Sequence, residues 1–148
     1  MRVAVGSDHR AIELKEIVKR VVREMGGVAV DFGAHSTESA DYPDFAFPVA
    51  RAVARGECDR GVLLCGTGIG MSIAANKVKG VRAAVVHDEK TAELSRQHND
   101  ANILCMGSAI VDAATLEKCV KVWLSTPFEG GRHARRVEKI ASGESTER

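Results

Sequence analysis

The sequence has no apolar run long enough to span a membrane, few aromatic residues and almost no net charge. A membrane-spanning helix needs about 18 or more consecutive apolar residues, and no stretch of this chain approaches that length. The 21 basic and 20 acidic residues leave a formal net charge of +1, and the aromatic residues are one Trp, one Tyr and four Phe. A long-range attraction to nucleic acid or to an anionic membrane is therefore excluded, and we expect neither partner. Any recognition of an anion has to be local.

Disulfide and metal frameworks are missing as well. The four cysteines form no CxxC pair, and no two histidines have the spacing of zinc ligands. The first apolar run ends after five residues, so it lacks the core of a signal peptide. We therefore expect a cytoplasmic protein with free thiols and no bound metal.

Short strand-like runs alternate with helical patterns along the whole chain, without repeats or linkers. We predict strands at 2–6, 28–32, 61–65, 81–86 and 102–106. We predict helices at 9–25, 71–78, 88–97, 112–125 and 132–141. A further helix begins at Pro43, and Pro48 should kink it or shift its start. The runs VLLC and AAVV are apolar throughout, as parallel strands covered on both faces require. The sequence thus predicts an α/β fold, a Rossmann-like three-layer αβα sandwich with a five-stranded parallel sheet. We assign residues 1–142 to one domain and 143–148 to a polar C-terminal tail.

Ligands of such sheets bind beyond the carboxyl ends of the strands, where the strand order reverses. We therefore expect function in the residues that follow the strands. These residues are Asp8 and His9, Cys65 with the GTGIG loop, His87 and Asp88, and Gly107 and Ser108. We also expect His98 and Asn99, at the end of the fourth helix, to reach this edge.

The GTGIG loop, Gly66 to Gly70, directly follows Cys65 and opens a helix. Glycines there let backbone N–H groups converge on an anion, although the spacing matches neither the dinucleotide fingerprint nor the P-loop. A helix amino terminus also favours the thiolate form of a cysteine. A thiolate beside such a loop can remove a proton next to a carbonyl while the N–H groups hold the enediolate. The alternatives are a tight turn and a small apolar side chain that ends a strand.

Three further groups of residues carry a functional and a structural interpretation. His98, at a helix carboxyl terminus, suits a general acid or a simple helix cap. The pair Asp8 and His9 either binds substrate or forms a helix cap. Arg132 and Arg136, four residues apart, either bind a phosphate through forked hydrogen bonds or form a solvated basic face.

The order of the motifs is more specific than any one of them. The segments GSDH, TESADYPDF, CGTGIGMSIAANK, SRQHNDAN and EGGRHARRV succeed one another between residues 6 and 137. In this order they resemble the type B ribose-5-phosphate isomerases, a family whose wider group includes galactose-6-phosphate isomerase subunits. The likeness extends from residue 2 to about residue 140.

The resemblance implies a cofactor-independent isomerase that interconverts D-ribose 5-phosphate and D-ribulose 5-phosphate through a cis-enediolate. Cys65 would be the base, His98 the acid that opens the sugar ring, and Thr67 a catalytic partner that holds the enediolate. The implied substrate-binding residues are Asp8, His9, Tyr42, Gly66, Gly68, Ile69, Gly70, Asn99, Arg132 and Arg136. The resemblance also implies a homodimer or homotetramer with active sites shared between subunits.

Three alternatives stay open at this point. One is an isomerase of a six-carbon sugar phosphate, such as allose or galactose 6-phosphate, since one sequence does not measure pocket length. Another is a non-catalytic phosphosugar-binding protein, although Cys65 and His98 are both present. The third is a nucleotide-binding sandwich, which would require a longer glycine-rich segment.

Overall fold

The computed structural model describes residues 1–146, which form five strands and six helices in regular alternation. Their bounds in chain order are β1 Arg2–Ser7, α1 Ile12–Glu24, β2 Val28–Asp31, α2 Pro43–Ala54, β3 Arg60–Cys65, α3 Ile69–Ala75, β4 Ala83–Val85, α4 Glu89–Gln97, β5 Ile103–Gly107, α5 Ala113–Ser125 and α6 Arg132–Thr146.

The five strands form one parallel sheet in the order β2-β1-β3-β5-β4. The predicted fold class is thereby confirmed. Strand β3 is central, and its last residue, Cys65, is paired in register with Gly107 at the end of β5. The chain moves outward in one direction from β1 and in the other from β3, so the strand order reverses between these two strands. The central carboxyl edge is therefore the expected place for a ligand.

Helices cover both faces of the sheet and create two apolar cores. Alternate residues of a strand point to opposite faces, so Leu64 packs with α1, α4 and α5 around Trp123, whereas Leu63 packs with α2 and α3 around Met71. All four of these side chains are fully buried. Among residues 1–146, none of the helices has the combination of length and apolar character needed to cross a bilayer.

The first two helices differ from the sequence prediction. Helix α1 begins at Ile12 instead of residue 9, because the Asp8 carboxylate accepts the backbone N–H of Arg10 at 2.9 Å and holds the chain in a turn before the helix. Helix α2 begins at Pro43, as expected of a proline in a first turn, and continues past Pro48. Pro48 is exposed, so its ring does not disturb the packed face of the helix.

Two later helices also differ. Helix α3 begins at Ile69, two residues earlier than predicted, because Gly68 takes a left-handed conformation (φ 82°) that lets the helix start directly after it. Helix α6 continues to Thr146, beyond the predicted end at 141. The Glu144 carboxylate accepts the backbone N–H of Gly80 at 3.2 Å and fixes this end against the domain. Residues 143–146 of the predicted tail are thus helical, and 147–148 lie outside the described residues.

Candidate active site

Cys65 ends the central strand at the carboxyl edge of the sheet. Its side chain is 5% exposed, and its sulfur accepts the backbone N–H of Gly68 at 3.1 Å. Its carbonyl accepts the N–H of Ser108 at 2.9 Å, which ties the end of β3 to the turn after β5. The sulfur therefore lies against the glycine loop, at the rim of the core.

The glycine loop lies against the backbone at Gly68 and against a movable side chain at Gly66. A Cβ at Gly68 would lie 2.9 Å from the backbone of Met106, and a Cβ at Gly66 would lie 2.7 Å from the Arg10 guanidinium. Two of the predicted enediolate donors are engaged within the loop: the N–H of Gly68 points to the Cys65 sulfur, and that of Ile69 to the Thr67 hydroxyl at 3.2 Å. A substrate oxygen would have to share or replace these contacts.

Asp8 and His9 follow β1 at the same edge. Asp8 is 5% exposed, and its backbone N–H donates to the carbonyl of Leu64, next to Cys65. The His9 Nδ1 accepts the backbone N–H of Ala40 at 3.1 Å. Because Nδ1 is an acceptor there, a neutral His9 carries its proton on Nε2, which is then a donor.

Tyr42 lies across the glycine loop from a different part of the chain. It precedes α2, is 40% exposed, and its ring would meet a Cβ at Gly70 at 2.6 Å. The structure thus brings Tyr42, the glycine loop, Cys65 and the Asp8–His9 pair together at one edge of one chain.

His98 belongs to a second cluster with Glu129 and His133, neither of which was among the predicted site residues. The His98 and His133 rings stack with centroids 4.2 Å apart and an interplanar angle of 13°. The Nε2 atom of each ring lies 3.7 Å from Oε1 of Glu129. Burial, together with the neighbouring His98 and Arg132, lowers the pKa of His133. The spacing of Glu129 and His133, four residues apart around the start of α6, was the available signal for this part of the cluster.

The second cluster lies at the amino edge of the sheet, which corrects the expectation that His98 and Asn99 reach the Cys65 edge. Helix α4 begins after the end of β4 and returns toward the start of β5, so its last turn faces the opposite edge. The same edge holds Arg82, whose carbonyl accepts the N–H of Asn102 just before β5. Strands of five to six residues separate the two edges by about 15 Å.

Asn99, Arg132 and Arg136 accompany His98 at the amino edge. Asn99 borders a cleft that also contains Arg82 and residues 140 and 144 of α6. Arg132 and Arg136 lie in the first turns of α6 and are exposed. Within one chain, the predicted site residues therefore form two separate groups.

Among residues 1–146, the second cluster is the group of side chains that most resembles a metal site. The potential ligand atoms of His98, Glu129 and His133 all lie within 4.8 Å of one another. The two rings are almost parallel, however, so their in-plane lone pairs do not converge on one point. The parallel stack, with the Glu129 carboxylate 3.7 Å from both Nε2 atoms, suits a charge contact better than ligation of a metal ion.

Comparison with known proteins gives a consistent result over almost the whole chain. The family model described as Ribose/Galactose Isomerase matches residues 3–140. Ribose-5-phosphate isomerase B of Escherichia coli is 49% identical over 142 residues, which cover 95% of each chain. The structure of ribose-5-phosphate isomerase B from Clostridium thermocellum has a TM-score of 0.98 at 49% identity and full coverage of both chains. That of ribose-5-phosphate isomerase B from Mycoplasma genitalium with bound ribulose 5-phosphate has a TM-score of 0.94 at 45% identity, with 97% of this chain and 96% of that chain covered.

Proposed function

The chain belongs to the ribose/galactose isomerase family and is an aldose–ketose isomerase, and from this premise we propose that it interconverts D-ribose 5-phosphate and D-ribulose 5-phosphate with Cys65 as the base. The observation that carries the proposal is the position of the Cys65 sulfur, at the end of the central strand and 3.1 Å from the Gly68 nitrogen. A base in this position has the backbone of a glycine loop beside it to receive an oxyanion.

In this proposal the reaction begins with ring opening. His98 donates a proton to the ring oxygen, the bond between that oxygen and C1 breaks, and the C1 hydroxyl releases its proton to solvent as the aldehyde forms. The Cys65 thiolate then removes the proton from C2 of the open aldose, and the electrons of that C–H bond form the C1–C2 double bond of a cis-enediolate. Thr67 and the loop N–H groups hold the negative oxygen. The thiol returns its proton to C1, and a proton moves from the oxygen on C2 to that on C1, which gives the ketose. No cofactor takes part.

The separation of the two residue groups supports an active site shared between two copies of the chain. His98, Asn99, Arg132 and Arg136 lie about 15 Å from the Cys65 edge, so they reach a substrate held at Cys65 only from a second subunit. Exposed apolar side chains near the glycine loop fit a surface that a partner covers. They are Tyr42, Ile69, Ile73 and Ile110, each at least 40% exposed. We propose a homodimer, or a tetramer built from such dimers.

In the shared site, Asp8 of one subunit and Asn99 of the other would bind the sugar hydroxyls, and Tyr42 would line the pocket. His9 would meet Arg132 and Arg136 of the other subunit around the phosphate. Two guanidiniums suit this group because each can bind it through forked hydrogen bonds. The cytoplasmic location expected from the sequence stays a prediction.

The substrate is tested by measuring kcat/KM for ribose 5-phosphate beside allose 6-phosphate and galactose 6-phosphate. We expect ribose 5-phosphate to be preferred. A higher kcat/KM for either six-carbon substrate would make that sugar phosphate the preferred substrate instead. An enzyme inactive on all three would contradict the proposal.

The role of Cys65 is tested with Cys65→Ser and Cys65→Ala. Serine retains an acceptor for the Gly68 N–H but its hydroxyl is too weak an acid to supply a base, so we expect kcat to fall by about 100- to 10,000-fold in both variants. Cys105→Ala is the matched control, because Cys105 lies two residues before the end of the neighbouring strand and is fully buried. Wild-type turnover in Cys65→Ser would refute the assignment.

A further inference from the structure

Arg10 lies against the glycine loop, although neither the motif spacing nor the resemblance pointed to it. A Cβ placed on Gly66 would lie 2.7 Å from Nη1 and 2.8 Å from Cζ of Arg10. The guanidinium therefore covers the surface of Gly66, immediately after Cys65. The absence of a side chain at position 66 is what allows this approach.

The Arg10 guanidinium is also available to a ligand. Within residues 1–146 it takes part in none of the described ion pairs or side-chain hydrogen bonds. Other arginines differ: Arg20 pairs with Glu117 at 3.1 Å, and Arg96 with Asp100 at 2.9 Å. Meanwhile the Arg10 backbone is fixed, since its N–H donates to the Asp8 carboxylate at 2.9 Å.

Arg10 and His9 border a cleft of about 500 Å³ at the carboxyl edge. The first residues of α1 and α5 open onto the same cleft, as does Ser108. His9 presents Nε2 as a donor, because its Nδ1 is taken by the N–H of Ala40. Helix amino termini add partial positive charge, so most of these groups favour an anion.

Acidic groups at the cleft restrict where an anion can bind. Glu13 and Asp112 both line it. The Asp112 carboxylate already accepts the N–H of Thr115 at 2.8 Å as the cap of α5. An anion is therefore best placed at the end formed by Arg10, beside the glycine loop.

We propose that Arg10 binds the phosphate group of the sugar substrate from the same subunit that supplies Cys65. This inference rests on the proposed function, in which the substrate is a phosphosugar held at the carboxyl edge. The two arginines expected to bind the phosphate, Arg132 and Arg136, lie at the amino edge of this chain. Arg10 supplies a guanidinium that is in place beside the loop before a partner contributes its own.

The test compares Arg10→Met, Arg10→Lys and the wild type, with Arg55→Met as a matched control. Arg55 is an exposed arginine that follows the end of α2, away from the glycine loop. Loss of a charge-assisted contact to a non-reacting phosphate raises KM more than it lowers kcat. We expect Arg10→Met to raise KM for ribose 5-phosphate and the inhibition constant of inorganic phosphate by about 10- to 100-fold. Arg10→Lys should recover part of this loss, and Arg55→Met should leave both values unchanged.

A second substrate separates phosphate binding from a role in shaping the loop. For D-ribose, which lacks the phosphate, kcat/KM should be the same in Arg10→Met and the wild type. An equal fall for D-ribose and ribose 5-phosphate would overturn the proposal, because it would mean that Arg10 acts on the loop or the enediolate. An unchanged KM and an unchanged phosphate inhibition constant would overturn it as well.

Failure of the proposed function would give a different pattern. If the wild-type enzyme is inactive on ribose 5-phosphate, the proposed substrate is wrong, but the proposed anion site at Arg10 is not yet tested. Calorimetric titration of the wild type and Arg10→Met with inorganic phosphate then decides the role of Arg10 without turnover. Equal phosphate affinities of the wild type and Arg10→Met would overturn the role of Arg10 in anion binding. A phosphate affinity 10- to 100-fold weaker in the variant, about the value of such a contact, would support that role.

Discussion

Complementation between two inactive variants tests the shared site most directly. In one chain, Cys65 ends the central strand while His98 lies at the other edge of the sheet, about 15 Å away along strands that rise roughly 3.3 Å per residue. A site that needs both residues takes them from different copies. Cys65→Ala and His98→Asn each damage every site of their own homodimer, and each should lose about 99% or more of the activity, as expected for loss of a general base or acid.

A hybrid dimer of the two variants regains one intact site. One of its sites combines the intact Cys65 of one subunit with the intact His98 of the other, and the second site lacks both. Random mixing makes half of the dimers hybrid, each with one of two sites restored, so the mixture should reach about a quarter of wild-type activity for a two-fold symmetric dimer.

The assay measures isomerisation after the two variants are unfolded and refolded together, with hybrids identified by native mass spectrometry of differently tagged chains. Mixing Cys65→Ala with the double variant Cys65→Ala, His98→Asn is the control, because none of its dimers contains Cys65. If verified hybrids are no more active than the parent variants, the site is not shared in this way.

Three other substitutions test the packing of the glycine loop and the ion pairs of Asp31. A Cβ at Gly107 would lie 2.4 Å from the Thr67 backbone, so Gly107→Ala should lower stability by about 3 kcal/mol and the Tm by roughly 10 °C. In Gly70→Ala the clash is with an exposed tyrosine ring that can move aside, so the loss should stay below about 1 kcal/mol; equal Tm values for the two variants would contradict this reasoning. Burial alone would raise the pKa of Asp31, but hydrogen bonds from two lysines and a backbone N–H lower it to about 2 from 3.8. The lowered pKa stabilises the fold above pH 4 by about 2 kcal/mol, and this contribution is lost as the pH falls from 4 to 2. Asp31→Asn, which also leaves the buried Lys15 without its ion pair, should be less stable than the wild type at pH 7 in urea denaturation. The difference should shrink toward pH 2, and a constant difference would contradict the role of the carboxylate.

The fold was predictable because local and global signals agree. The continuous apolar runs VLLC and AAVV, in β3 and β4, predict a parallel sheet covered on both sides. The structure buries every residue from Gly61 to Cys65, whereas Ala83 to Val85, in the edge strand, are half-buried. Boundaries were less predictable, since they depend on contacts made across the chain. The end of α6 is held by Glu144 against Gly80, a contact between residues far apart in sequence.

The location of His98 was misjudged for a reason of topology. A helix that connects two parallel strands starts at the carboxyl edge and ends at the amino edge, so the residue after α4 cannot lie beside the residue after β3 in the same chain. Only the resemblance indicated that a second subunit would supply it. Arg10 was not predicted as a site residue because its position at the loop depends on its contact with Gly66. The spacing of residues in the sequence carries no information on that contact.

Burial and strand position distinguish the Cys65 thiol from those of Cys105 and Cys119. Burial raises the pKa of Cys119 to about 11, and burial raises that of Cys105 further, so both stay protonated at neutral pH. Cys65 shares a face of the sheet with Cys105, but the register places it two residues nearer the carboxyl edge. That displacement of about 7 Å moves the sulfur from the closed core to the rim, where the Gly68 N–H meets it. The access of a ligand to this thiol is therefore set by where the strand ends, since the same side chain two residues earlier on the neighbouring strand is sealed in the core.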